Sequence, residues 1–135
     1  MTIARKTYLG IAAVCAMALT PFASAQQAAT VTVTVKNVTS NAGNVRGSLC
    51  ADPAVFANSP CAGPTASVPA NPGSVELIFT DVMPGTYGLA LFHDEDGDGR
   101  ISVFADAMAF GNGAKDLPPV FDNAALKVTG DLRTE

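Results

Sequence analysis

Tryptophan is absent from the 135 residues, histidine occurs once, at His93, and 8 lysines and arginines stand against 12 aspartates and glutamates. Each shortage closes off a class of function. A single imidazole leaves a zinc centre short of nitrogen donors. The few basic residues form no patch or stripe, which excludes nucleic acid as a partner, and no polybasic segment is present to meet an anionic lipid surface. No apolar run reaches the roughly 20 residues of a membrane-spanning helix. There is no Gly-x-Ser-x-Gly elbow and no Cys-x-x-Cys pair. No segment sustains a helical period over a useful length, so a helical bundle is excluded as well.

The apolar run that does occur lies at the N-terminus. Arg5 and Lys6 precede an apolar stretch from Tyr8 to Leu19, which ends at Thr20-Pro21-Phe22 and the small-x-small motif Ala23-Ser24-Ala25. This is the arrangement of a secretory signal peptide over residues 1–25, cleaved after Ala25. An uncleaved anchor is the alternative, but the run is too short to span a bilayer and Pro21 interrupts it. Cys15 is a poor lipidation site, because it sits inside the apolar stretch and follows Val14. The domain is therefore expected at 26–135, exported to the periplasm or the extracellular space. That segment keeps 6 basic residues against 12 acidic ones, a net charge of −6. A chain of roughly 110 residues builds one hydrophobic core.

Cys50 and Cys61 remain after cleavage, an even pair in an oxidising compartment, and a disulfide is expected between them. Closing so short a loop is worth roughly 3 kcal/mol on the chain-entropy account. The enclosed stretch holds Pro53 and Pro60, so it reads as an irregular connection with one helical turn near Pro53–Ala57.

Elsewhere the period is two. Val31, Val33 and Val35 alternate with Thr32, Thr34 and Lys36, and after a turn at Ser40–Asn44 the segment Val45–Cys50 reads as the hairpin partner of that strand. Ala66–Pro69 reads as a short edge strand. Val75, Leu77 and Phe79 alternate with Ser74, Glu76 and Ile78. Tyr87, Leu89, Leu91 and His93 share one face of a strand over Thr86–His93. Ile101–Phe104 begins another short strand, Met108–Pro119 is a Gly- and Pro-containing stretch, and Leu126 and Val128 point inward from a last strand over Ala124–Thr129. About seven short strands separated by turns predict an all-β fold, a single antiparallel β-sandwich. Pro84-Gly85-Thr86-Tyr87 delivers a tyrosine from a turn into a strand, the sequence form of a tyrosine corner.

Pro84-Gly85-Thr86-Tyr87, then Leu91-Phe92-His93-Asp94-Glu95-Asp96-Gly97-Asp98-Gly99-Arg100, and finally Pro118-Pro119-Val120-Phe121 resemble the motifs of a bacterial family called domain of unknown function 2141. The resemblance runs through nearly the whole mature chain. It implies an exported β-sandwich akin to the prealbumin-like or immunoglobulin-like modules of surface proteins. It implies no reaction. The chain differs from the family pattern at Ser102, where the family often carries Asp, and in the altered segment Met108–Gly113.

The most distinctive chemistry lies in Asp94-x-Asp96-x-Asp98-Gly99-x-Ile101. Carboxylates at alternate positions of a turning loop can converge on one hard cation, and Gly99 permits the left-handed backbone that such a turn needs. The expected calcium ligands are Asp94, Asp96, Asp98 and the backbone carbonyl of Arg100, with Ser102 acting directly or through water. The twelfth loop position, where an EF-hand places a bidentate Glu, is Ala105, and Asp106 follows it as a substitute. Four acidic residues in the five positions from Asp94 to Asp98 repel one another and need a counter-ion, which Arg100 supplies only in part. The plain alternative is a solvated acidic turn. His93 beside this loop reads as a strand-end residue orienting a carboxylate. Asn37-Val38-Thr39 matches a glycosylation sequon, a pattern frequent by chance, and Gly111-Asn112-Gly113 reads as a turn.

Three functions follow from these features. The first is an exported, non-enzymatic binding or structural module with a calcium-stabilised loop, whose partner would be a protein or a glycan. The second is a metal-free envelope interaction module. The third, a hydrolase using His93, lacks a recognisable nucleophile.

Overall fold

The computed structural model describes residues 24–56, 61–102 and 106–135. Residues 1–23, 57–60 inside the disulfide loop and 103–105 lie outside the described residues, and with them most of the expected leader, the second half of the strand expected over Ile101–Phe104, and Ala105 at the twelfth loop position; Ile101 and Ser102 are described and form no strand.

The described chain forms β1 (Ala29–Val38), β2 (Asn44–Cys50), α1 (Pro53–Phe56), β3 (Thr65–Pro69), β4 (Gly73–Val82), β5 (Gly85–Asp94), β6 (Ala107–Phe110), α2 (Phe121–Ala124), β7 (Ala125–Val128) and β8 (Leu132–Thr134). These strands make two sheets, in agreement with the all-β expectation. One has the order β4-β1-β8. The other has the order β3-β2-β5-β6, with β7 also on β5. Gly88 of β5 pairs with Cys50 of β2 and with Ala125 of β7, so β7 shares the edge of β5 that β6 occupies further along.

The alternating residues become the core. Val31 and Val33 face Phe79 and Leu77 across the β1–β4 ladder, and all four are fully buried. Val45, Leu49, Leu89, Leu91, Leu126 and Val128 close over them from the other sheet. Gly47 lies between Val45 and Leu49 on the inner face of β2, where a Cβ would stand 2.7 Å from Leu91 Cδ2 and 3.0 Å from Phe79 Cζ. The missing side chain is thus filled by neighbours from both sheets.

β1 and β2 are not a hairpin. They lie in different sheets, and Ser40–Gly43 carries the chain across the sandwich. The cause is local. Asn37 takes a left-handed φ of 60°, and the β1–β4 register shifts between Lys36 and Val38, which bends the chain out of the first sheet. Alternation specifies which face a residue presents, not which strand lies beside it. Two strands absent from the sequence reading are β6, inside the Gly- and Pro-containing stretch, and β8, which pairs with β1 in parallel and so departs from a purely antiparallel sandwich.

Tyr87 forms the expected corner, its hydroxyl donating to the Met83 carbonyl at 2.8 Å. Cys50 and Cys61 are joined, with Cα atoms 5.4 Å apart. A second apolar cluster forms around this bond on the outer face of β5. There Phe56 meets Phe110 and Phe121 edge-on, at ring-centroid distances of 6.3 and 5.7 Å. Gly88 makes room for it, since a Cβ there would stand 2.7 Å from the Phe56 ring.

Candidate metal site at the end of β5

Strand alternation puts His93 on the inner face of β5 and Asp94 on the outer face. Arg46 on β2 sits opposite Phe92, one diagonal step from Asp94 and on the same face. The diagonal is short enough for a long side chain to cross. Arg46 Nε donates to Asp94 Oδ2 at 2.7 Å, and the Gly99 N–H donates to the same oxygen at 3.1 Å. The loop therefore folds back over Asp94, which is fully buried.

The fold-back uses left-handed residues at Gly97 and Gly99, both with φ of 75°. Two local hydrogen bonds hold it, Asp98 N–H to Asp96 Oδ1 at 3.1 Å and Arg100 N–H to Asp98 Oδ1 at 2.7 Å. Each of the three aspartates thus spends one carboxylate oxygen on the protein. The three side chains converge, with one oxygen from each lying within 4.8 Å of the others. Asp96 and Asp98 are exposed and Asp94 is buried.

Asp94 Oδ1 has no hydrogen-bond partner among the described residues, although it is out of reach of solvent. A buried carboxylate oxygen without a donor is costly and calls for an explanation. Burial alone would raise the Asp94 pKa. The Arg46 hydrogen bond, the Gly99 N–H, the Arg46 charge and the neighbouring Asp96 carboxyl outweigh it, so Asp94 titrates below its ordinary value and is ionised at neutral pH.

Asp94, Asp96 and Asp98 are brought together as the spacing predicts. Arg100 contributes its N–H to Asp98. Ser102 and Asp106 pair with each other instead, Ser102 N–H donating to Asp106 Oδ2 at 2.7 Å and Asp106 N–H to the Ser102 carbonyl at 2.8 Å. Asp106 is outside the three-carboxylate group. Among the described residues, the cation paired with Asp94 is Arg46, and nothing in the sequence joins it to a residue 48 positions later.

Glu95 turns away from the cluster to accept from Ser40 Oγ at 2.9 Å. Beside it, His93 Nε2 lies 2.8 Å from the Ala42 carbonyl. A carbonyl only accepts, so this nitrogen carries a proton and donates. Nδ1 faces Glu95 Oε1 at 3.6 Å. The lone histidine thus ties the acidic loop to the crossover between the sheets.

A family model described as an uncharacterized protein conserved in bacteria matches residues 33–135, a span that includes both sheets and the acidic loop. No curated protein and no solved structure matches the chain. Among the described residues no helix is long and apolar enough to cross a membrane.

Proposed function

The chain belongs to the bacterial family DUF2141, and from that premise we propose that it is an exported, non-enzymatic binding or structural module whose Asp94–Asp98 loop takes a calcium ion. The observation that carries this reading is Asp94 Oδ1, a buried acceptor with no donor among the described residues, on a carboxylate grouped with two exposed ones. The donors are all hard oxygens, which suits calcium. Zinc wants nitrogen or sulfur, and magnesium demands a stricter octahedron. With Ala105 at the twelfth position, affinity falls in the weak extracellular range, on the order of 10⁻⁴ to 10⁻³ M. Such an ion reinforces the fold and does not act as a sensor.

Export is supported by the leader-like N-terminus and by the Cys50–Cys61 bond, which persists in an oxidising compartment. The absence of catalysis is supported by His93, whose Nε2 is committed to a backbone carbonyl while the nearby Ser40 hydroxyl is committed to Glu95. Nucleophile and base are not joined in the way catalysis requires. A second reading, the metal-free module, is favoured by Arg46, which already gives Asp94 a counter-charge.

Thermal unfolding separates the two. In EDTA and in calcium at about 5 mM, above the weak range, the native protein should melt higher with calcium. The gain should vanish when Asp96 and Asp98 are both changed to Asn, and magnesium should not reproduce it. Superimposable curves in every condition would rule out the calcium site and leave the metal-free module.

A further inference from the structure

The acidic loop has two prospective counter-cations for one buried carboxylate. Arg46 holds Asp94 Oδ2 at 2.7 Å, while Oδ1 of the same group is left for an external ion. The guanidinium lies along the loop, with Cζ and Nη2 each 3.9 Å from where a Gly99 Cβ would be. Its side chain is 35% exposed, so this charge is only partly screened by water. Asp94, Asp96 and Asp98 carry three negative charges, and Arg46 reduces the net charge of the site to that balancing a divalent ion.

We infer that Arg46 is the residue that sets the affinity of this site, acting as a tethered cation that neutralises Asp94 when no metal is bound and opposes the metal when it arrives. This rests on the proposed calcium site. The physics gives it a definite sign. Removing one partner of a buried ion pair is destabilising because the other charge is left unpaired. A calcium ion bound to the same carboxylate can supply the missing charge. Without Arg46 the metal-free protein should be weaker, the affinity for calcium should rise, and the two effects should be linked. If Arg46 only positioned Asp94, its loss would weaken calcium binding instead.

The test compares the native protein with Arg46→Gln, Arg46→Met and Arg46→Lys, using calcium alone as the probe in titration calorimetry and thermal unfolding. Both neutral variants should melt lower in EDTA, bind calcium at least about fivefold more tightly, and gain more from it in melting temperature than the native protein does. Arg46→Lys, which keeps the charge, should stay within about twofold of the native affinity. A neutral variant that folds only when calcium is added would support the inference. Equal or weaker calcium binding by both neutral variants would overturn it, and so would failure of both to fold at about 10 mM calcium, well above the weak range. If the native protein itself binds no calcium, the underlying site reading fails. If the native protein binds and the neutral variants bind no better, only the role of Arg46 fails.

Discussion

Gly43 lies so close beneath Asp94 that a Cβ built on it would stand 1.8 Å from the Asp94 carbonyl oxygen. Its φ of 64° is also left-handed. Sterics and backbone conformation therefore both require glycine, at the point where the crossover between the sheets meets the acidic loop. Gly43→Ala should cost about 2–4 kcal/mol by combining strain with displaced backbone. Chemical denaturation would measure the loss. A cost within about 0.5 kcal/mol, as at an ordinary surface position, would show that the contact relaxes freely.

Tyr87→Phe keeps the ring in the core and removes only the bond to the Met83 carbonyl. Loss of one such bond is expected to cost about 1 kcal/mol. The measurement is the urea midpoint at unchanged slope. No shift would mean that water serves the Met83 carbonyl equally well.

Asp94 gives a pH dependence with a definite sign. Its carboxyl titrates below the ordinary 3.8 when folded. The folded state therefore favours the ionised form, and this stability is complete above the unfolded value. It is lost as pH falls below 3.8 through the folded value. In EDTA, Asp94→Asn should melt lower than the native protein at neutral pH, and the gap should narrow once pH drops below 3.8. A gap that stays constant over that range would show that the stabilisation does not depend on ionisation.

Cys50 is buried, and Phe56, Phe110 and Phe121 pack around the bond it makes with Cys61. Replacing both cysteines with Ala should cost about 2–5 kcal/mol, the usual range for removing a native disulfide from a small domain. Because that cluster packs around Gly88 and Ala90 of β5, away from the strand end that carries Asp94, calcium affinity at the proposed loop site should be unchanged. A comparable loss of calcium binding would show that the disulfide region and the loop are coupled.

The sequence reading succeeded where burial alone decides the pattern. The inward residues of β1, β4 and β5 and the tyrosine corner all follow from local alternation and turn chemistry. It failed where a partner decides. β6 is Ala-Met-Ala-Phe with only intermediate or exposed residues, and pairing with β5 makes it a strand. β8 is three residues long and exists because β1 has a free edge beside it. Arg46 reads locally as an ordinary outward strand residue, and its role becomes visible only when β2 and β5 lie side by side. The convergence of the three aspartates was legible because they alternate within one short loop. The clamp formed by Ser40, Ala42, His93 and Glu95 was not, since it joins two loops distant in sequence.

That clamp has a consequence for how the molecule breathes. The Gly43 carbonyl accepts from the Ala70 N–H at 3.1 Å, while Asp94 holds the Gly99 N–H and the Arg46 side chain. Three stretches of chain are thus latched at one end of the sandwich, and none can swing out without releasing the others. They should form a single cooperative opening unit in hydrogen exchange. The amides of Ala70 and Gly99, 29 positions apart, should then lose protection with a common opening free energy.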